Sequence, residues 1–304
     1  MTIATGTRAR VGYIAEVTQG TTPATPAFAE LPFTSWNVNL TRGAFEDNSI
    51  RSDRMARYNL TGNSEVAGQM DVNMTHGYYD SLLQSLLQST WTTNVLKTGS
   101  TRTSLAMEEQ QLDIGEYRVY NGMIVDKFQL TVPANGVVTG KFDLIGFSQS
   151  ALSTATFTGA TWVPVATIKN PFTQYGASGF LKEGGATVGY VTGLDFTIDN
   201  AHTKNFAIAS NVVRDFTSAR SKITGTASVF FEDATMYNKF FNGTYSSLDL
   251  KLDNGTNTLE FSFPNIKYMG ATKTITGAGP VTMSMPFEAL YDGTALSHVV
   301  ITRS

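Results

Sequence analysis

EVAGQMDVNM (Glu65–Met74) and KITGTASVFF (Lys222–Phe231) read as one strand used twice. Both alternate apolar and polar residues, as a strand does when one face is buried and the other is polar. Both carry a glycine at the same place, Gly68 and Gly225, which lie 157 positions apart. At that spacing Val66 falls on Ile223 and Val72 on Val229. A helical stripe follows each strand. In YYDSLLQSLLQ, Tyr79, Leu82, Leu83 and Leu86 recur at i, i+3, i+4 and i+7. In DATMYNKFF, Met236, Tyr237, Phe240 and Phe241 form the stripe behind Asp233 as N-cap. Both stripes read as ordinary core packing.

The correspondence extends in both directions. Upstream, Trp36, Val38 and Leu40 match Leu194, Phe196 and Ile198 at a spacing of 158, so one insertion or deletion intervenes. Downstream, GVVTGKFDLIGF (136–147) resembles GPVTMSMPFEAL (279–290) at a spacing of 143. The drop from 157 to 143 gives the first half 14 extra residues after its helix, placed in the polar stretch Thr90–Glu116. Phe128, Leu130 and Val132 alternate in the same way, as do Val281, Met283, Met285, Phe287, Ala289 and Tyr291. Pro286 inside the last run marks an edge or a bulge. The chain is therefore expected to be a duplication of one small, mainly antiparallel β unit with a single helix. Its parts are an N-terminal arm (1–30), a first unit (31–150), a connector (151–189) and a second unit (190–304).

Composition narrows the function. The 304 residues are 41% hydrophobic and only 15% charged, leaving much neutral surface for contact with other chains. A net charge of −3 provides no footprint for nucleic-acid binding. Without cysteine there is no disulfide framework, thiolate nucleophile or thiolate metal site. No secretory signal is visible and no run of about 18 apolar residues occurs, so no membrane insertion is expected.

No active site stands out, and neither catalysis nor a cofactor is expected. His76, His202 and His298 are scattered without metal-ligand spacing. Glu108–Glu109 reads as part of a polar loop, and Glu232–Asp233 opposes a helix dipole. GASGFLKEGG lacks the strand-to-helix setting of a phosphate loop. The long segment Thr41–Ser64, with Arg42, Arg51, Asp53, Arg54 and Arg57, reads as a partner-binding or solvated loop.

The N-terminal stretch carries a family resemblance. Tyr13, Glu16, Thr18, Gly20, Thr21, Thr22, Pro23, Thr25, Pro26 and Phe28 form an ordered arm pattern, followed by Phe33–Thr34 and the run Ser49-Ile50-Arg51-Ser52-Asp53-Arg54. This resembles the tail tube proteins of bacteriophages with long, non-contractile tails. The resemblance implies β-sandwich or barrel units, each with one flanking helix, assembled into stacked rings around a channel for genomic DNA. Six tube units per ring would come from three two-unit chains. The implied partners are further copies, tape measure, terminator and distal tail proteins, with duplex DNA passing unbound. The implied location is the virion tail, assembled in the host bacterial cytoplasm. Thr21, Thr22, Pro23, Thr25, Pro26 and Phe28, with the charged loop residues, are the expected inter-ring contacts. Asp195 and Asp199 are candidates for a neutral-to-acidic lumen. The alternatives are another virion component, such as a decoration or baseplate protein, or a carbohydrate-binding or glycoside-cleaving β-sandwich.

Overall fold

The computed structural model describes residues 3–53, 55–165, 167–174, 176–188, 191–275 and 277–304. In chain order the first half comprises β1 (Ala9–Ala15), β2 (Ala27–Leu31), β3 (Ser35–Glu46), β4 (Asn59–Asn73), α1 (Asp80–Leu87), β5 (Val95–Lys97), β6 (Leu105–Gln111), β7 (Glu116–Pro133) and β8 (Thr139–Gly146). The connecting segment holds β9 (Ser148–Gln149), β10 (Thr161–Val163), β11 (Phe180–Glu183) and β12 (Ala186–Thr187). The second half comprises β13 (Val191–Asp199), β14 (Thr203–Asn205), β15 (Asp215–Thr217), β16 (Lys222–Phe230), α2 (Thr235–Phe241), β17 (Tyr245–Asp253), β18 (Thr258–Tyr268), β19 (Thr272–Thr274), β20 (Thr282–Ala289) and β21 (Val300–Arg303).

The duplication is visible in register. In the first unit β4 lies between β3 and β8, with Gly68 opposite Val38 on one side and Leu144 on the other. In the second, β16 lies between β13 and β20, with Gly225 opposite Phe196 and Phe287. These are the partners that spacings of 158, 157 and 143 require. The glycines share a physical cause. A Cβ on Gly68 would lie 1.9 Å from the Asn37 carbonyl oxygen, and one on Gly225 would lie 2.5 Å from that of Asp195. Only glycine lets the neighbouring backbone come so close. The extra residues of the first half lie between the helix and the next strand common to both halves: 17 residues (88–104) separate α1 from β6, against three (242–244) between α2 and β17. They include β5.

Each unit has two packed layers. In the first unit β7 bends at an irregularity between Val125 and Lys127, so its two ends serve different sheets. Its C-terminal part joins β8, β4 and β3; its N-terminal part joins β6, which pairs with β1, and β1 with β2. In the second unit β18 and β19 divide the role of β7 between them, and both pair with β20. Pro286 sits opposite that break, where the Met269 N–H donates to its carbonyl at 2.7 Å. β20 is paired on both flanks, so the proline marks no edge, but it does sit opposite a bulge: the register moves by one residue between Tyr268↔Phe287 and Thr272↔Ser284, so that three residues (269–271) face two (285–286).

The two units share one hydrophobic core. β13 of the second pairs antiparallel with β7 of the first, from Gly193↔Pro133 to Asp199↔Lys127, making one continuous sheet. On the far side β21 bridges β18 and β5. Phe128 and Phe196 face each other across the junction with ring centroids 6.3 Å apart, and Phe261 lies 5.2 Å from Phe196.

Two sequence expectations need correction. Glu108 and Glu109 are not in a loop but on the buried strand β6. The α2 stripe is only half core: Met236 and Phe240 are half-buried against the core, but no residue of the helix is fully buried, Phe241 is 73% exposed and Tyr237 38%. Asp233 does accept a hydrogen bond from the Thr235 N–H at 2.7 Å, although Ala234 holds the cap position.

Candidate assembly surfaces

Pairing strands inside the chain leaves counterpart edges open at its two ends. β13 has partners on both sides, β16 and β7. Its repeat counterpart β3 pairs, among the described residues, only with β4. The C-terminal part of β7 has β8 and β13; its counterpart β19 has, among the described residues, only β20, and Thr272–Thr274 are exposed. The chain thus contains one complete unit-to-unit junction and the two unjoined halves of another. Unpaired strand edges invite another chain.

The N-terminal arm is mostly folded. β1 and β2 belong to a sheet, and only residues 16–26 between them form a loop. The Glu16 carboxylate anchors that loop, accepting from Gly20 N–H at 2.7 Å, Gly122 N–H at 2.8 Å and Ser104 Oγ at 2.7 Å. Thr22 Oγ1 donates to Asn121 Oδ1 at 2.5 Å. Thr21 and Thr25 are exposed, Thr22 and Pro23 half-buried and Pro26 buried. Phe28 is fully buried and packs on Trp162 at 5.9 Å, so its ring is used within the chain and has no surface to offer a neighbour.

The connector is held to this sheet by Glu108. Its wholly buried carboxylate accepts from Phe157 N–H at 2.8 Å, Thr156 Oγ1 at 2.9 Å, Trp162 Nε1 at 3.0 Å and Gln110 Nε2 at 2.8 Å. Four donors satisfy a charge that burial would otherwise make costly. Glu109, on the opposite face, pairs with Arg118 at 2.9 Å and accepts from Trp36 Nε1 and Tyr120 Oη, both at 2.8 Å.

The long charged loop of the sequence is a hairpin, the outer ends of β3 and β4. Arg42, Arg51 and Arg57 are exposed on it, and Asp53 pairs with Arg57 at 2.6 Å. That bond holds the Asp53 carboxyl below its usual range. Arg54 lies outside the described residues. Phe45, Ile50, Met55, Tyr58 and Leu60 are all exposed on this hairpin.

Its counterpart, β14–β15, folds down onto the first unit instead. Lys204 Nζ reaches Glu65 Oε2 at 2.6 Å, and the Asn211 carbonyl accepts from Ser64 N–H at 2.6 Å. Val213 and Phe216 pack on Ile124 and Ile145, with Phe147 5.0 Å from Phe216. At its root Ala201 takes a left-handed φ of 46°, and His202 Nδ1 meets Asp126 Oδ1 at 2.8 Å. Burial raises the Asp126 carboxyl, but the hydrogen bonds from His202 outweigh it and hold the group below the usual range.

The joined sheet has a polar face. Asn37, Gln69, Asp143, Lys127, Asp199 and Lys222 stand in one registered row across it. Asp71, Asp195 and Glu288 share that face with Lys141. Asp195 is exposed and Asp199 half-buried. Lys127 pairs with Asp199 at 2.8 Å, and Lys222 with Glu288 at 3.9 Å. The acids named outnumber the lysines by five to three, and two of the lysines are paired within the face.

A family model described as phage tail tube protein matches residues 6–289. The chain belongs to the phage tail tube protein family. No curated protein matches it. Tail tube membership assigns a structural, non-enzymatic role in the virion tail, in assembly with itself and with other tail components. The mainly β architecture agrees with a tail tube fold. Among the described residues no helix is long and apolar enough to cross a membrane, and no group of three or more His, Asp or Glu is placed to hold a metal. A cleft of about 700 Å³ is lined by a single carboxylate, Glu288, whereas glycoside hydrolysis uses an opposed pair.

Three features escaped the sequence reading: the β7–β13 junction, the Glu108 anchor and the folded β14–β15 hairpin. Only the last left a usable signal. Continued through the loops, the repeat spacings align residues 41–64 with 199–221.

Proposed function

We propose that three copies close into a ring of six tube units, that rings stack, and that the bore conducts duplex DNA into a host cell. The observation that carries this reading is the internal β7–β13 junction together with its two unjoined counterparts, the outer edges of β3 and β19. An interface of this kind is heterologous, and repeated head to tail it closes into a ring when the rotation allows. Closure leaves no open edge within the sheet layer. Carrying the internal register over, Gln129↔Thr197 becomes Thr272 opposite Asn39 of the next copy, and Thr131↔Asp195 becomes Thr274 opposite Asn37.

The polar face would line the bore, with Asp195 and Asp199 on it. Its surplus of carboxylates and its paired lysines suit a wall that must not grip phosphate, since each free lysine would add a counterion-releasing contact. The Thr21–Thr25 tip, exposed at Thr21, Ala24 and Thr25, is the candidate for contact between rings. Removing residues through Phe28 would delete β1, the first two residues of β2 and the buried side chains of Val11 and Phe28, so the informative deletion is the loop 18–25. Analytical ultracentrifugation and negative-stain microscopy test the reading. Trimeric rings with six-fold appearance are expected as concentration rises; monomers at every concentration overturn it.

A further inference from the structure

The two β-hairpins are related by the same repeat that relates the units. β14–β15 pairs Thr203↔Thr217 and Lys204↔Phe216. The outer part of β3–β4 pairs Phe45↔Leu60 and Glu46↔Asn59, which are those positions shifted by 158 and 157. One hairpin lies on the first unit, while the other projects with its apolar residues exposed. The seat of the docked hairpin is built by Ser64 and Glu65, which make its polar contacts, and by Ile124 and Ile145, on which its apolar side chains pack. Its counterpart on the second unit is built by Ser221 and Lys222, and there the structure has the cleft of about 700 Å³, bordered by Arg220, Glu288 and Leu290.

The charges at these equivalent places are exchanged. Inside the chain a lysine on the hairpin, Lys204, meets a glutamate on the seat, Glu65, at 2.6 Å. Shifted by the repeat, the hairpin position is Glu46 and the seat position is Lys222. Both members have changed sign, so an opposite-charge pair is preserved although neither residue is. Glu46 is exposed on its hairpin. Lys222 is 62% exposed, and the ion pair it makes among the described residues, with Glu288, is a long one at 3.9 Å.

We infer that the hairpin 41–64 of one copy docks in the Ser221–Lys222 cleft of a second copy, with Glu46 paired to the neighbour's Lys222. The direction agrees with the open edges, since the β3 that would join the neighbour's β19 carries this hairpin. The inference rests on the ring reading for its geometry. It places Arg42, Arg51, Asp53 and Arg57 at a contact around the ring rather than along the axis. The reversed pair also excludes a wrong register, because Glu46 laid on Glu65, or Lys204 on Lys222, would set like charges together.

Two experiments test it. The chain has no cysteine, so Glu46→Cys and Lys222→Cys proteins each carry one thiol. Mixed and treated with a bis-maleimide of two-carbon spacer, they should yield covalent dimer at least about tenfold above either variant alone, because docking raises the effective concentration of the thiols. Separately, Glu46→Lys and Lys222→Glu should each raise the half-assembly concentration by about tenfold, and the double variant should restore it. Rings that assemble normally in both single variants, without mixed cross-linking, overturn the docking and leave the ring reading standing. Mixed dimers that never close into rings support the docking and overturn the ring reading.

Discussion

Helices α1 and α2 occupy the same place in two copies of one unit, follow the same glycine-bearing strand and carry similar apolar stripes. One stripe is fully buried and the other only half. In α1, Leu82, Leu83, Leu86 and Leu87 are at most 1% exposed. In α2 nothing is fully buried: Met236 and Phe240 rest half-buried on the core, and Lys239 ties the helix to the sheet through its ammonium, 2.5 Å from Glu183. The difference lies in what covers them. Residues 88–104, β1 and the C-terminal strand close over α1, with Ser85 Oγ donating to the Thr103 carbonyl at 2.9 Å, Tyr13 Oη 3.0 Å from Ser81 Oγ and Arg303 on Asp80. Only three residues link α2 to its next strand, so no chain is left to cover it. A hydrophobic stripe states which face can be buried; the length of the neighbouring loop decides whether it is.

The largest expected effect tests that contrast directly. Leu86→Ala should cost about 2–5 kcal/mol in urea unfolding, since it opens a cavity in a packed core. A loss below about 1 kcal/mol would mean the α1 site collapses to fill the space. Next come the paired glycines. Gly68→Ala and Gly225→Ala should each cost about 1–3 kcal/mol by overpacking, with Gly68 the worse because its backbone neighbour is nearer. Equal or reversed effects would show that the two repeats relax differently from what their spacing implies.

A smaller effect separates the two hairpins by pH. Asp126 at the root of β14–β15 has a folded pKa below its unfolded value. Its contribution is therefore full above the ordinary aspartate value of 3.8 and fades as pH falls through the lower folded value. Pepsin should cut within 203–217 progressively as pH drops below that window, and Asp126→Asn should remove the pH dependence. Cleavage insensitive to Asp126 would place the latch elsewhere. The smallest expected effect belongs to α2: Phe241→Ala should change monomer stability by less than about 0.5 kcal/mol, as for an exposed position. A larger loss would show that α2 packs more than its exposure indicates.

Much of the fold was legible because the signals are local. Val66, Gly68 and Val72 recur at Ile223, Gly225 and Val229, and the structure pairs them in the same register. The 14-residue surplus after the first helix was countable, though it lies in 88–104 rather than spreading to Glu116. The assembly surfaces were less legible. Phe28 reads as part of an open arm because Pro23 and Pro26 precede it, yet Trp162, more than a hundred residues away, closes over it. Glu108 reads as loop because carboxylates are seldom fully buried, and its four donors come mostly from the distant connector. Among the expected lumen residues, Asp195 and Asp199 do share a polar face, which strand alternation alone predicts.

By itself the order of residues established a doubled, mainly β chain, the strand faces, the two helices and the family. Each of these follows from short-range periodicity, or from one stretch repeating another. Tertiary structure alone decided which edges found partners, which helix was covered and which hairpin folded home. Those outcomes depend on contacts between segments far apart in the chain, where loop length and the competition between partners, rather than local pattern, set the free energy.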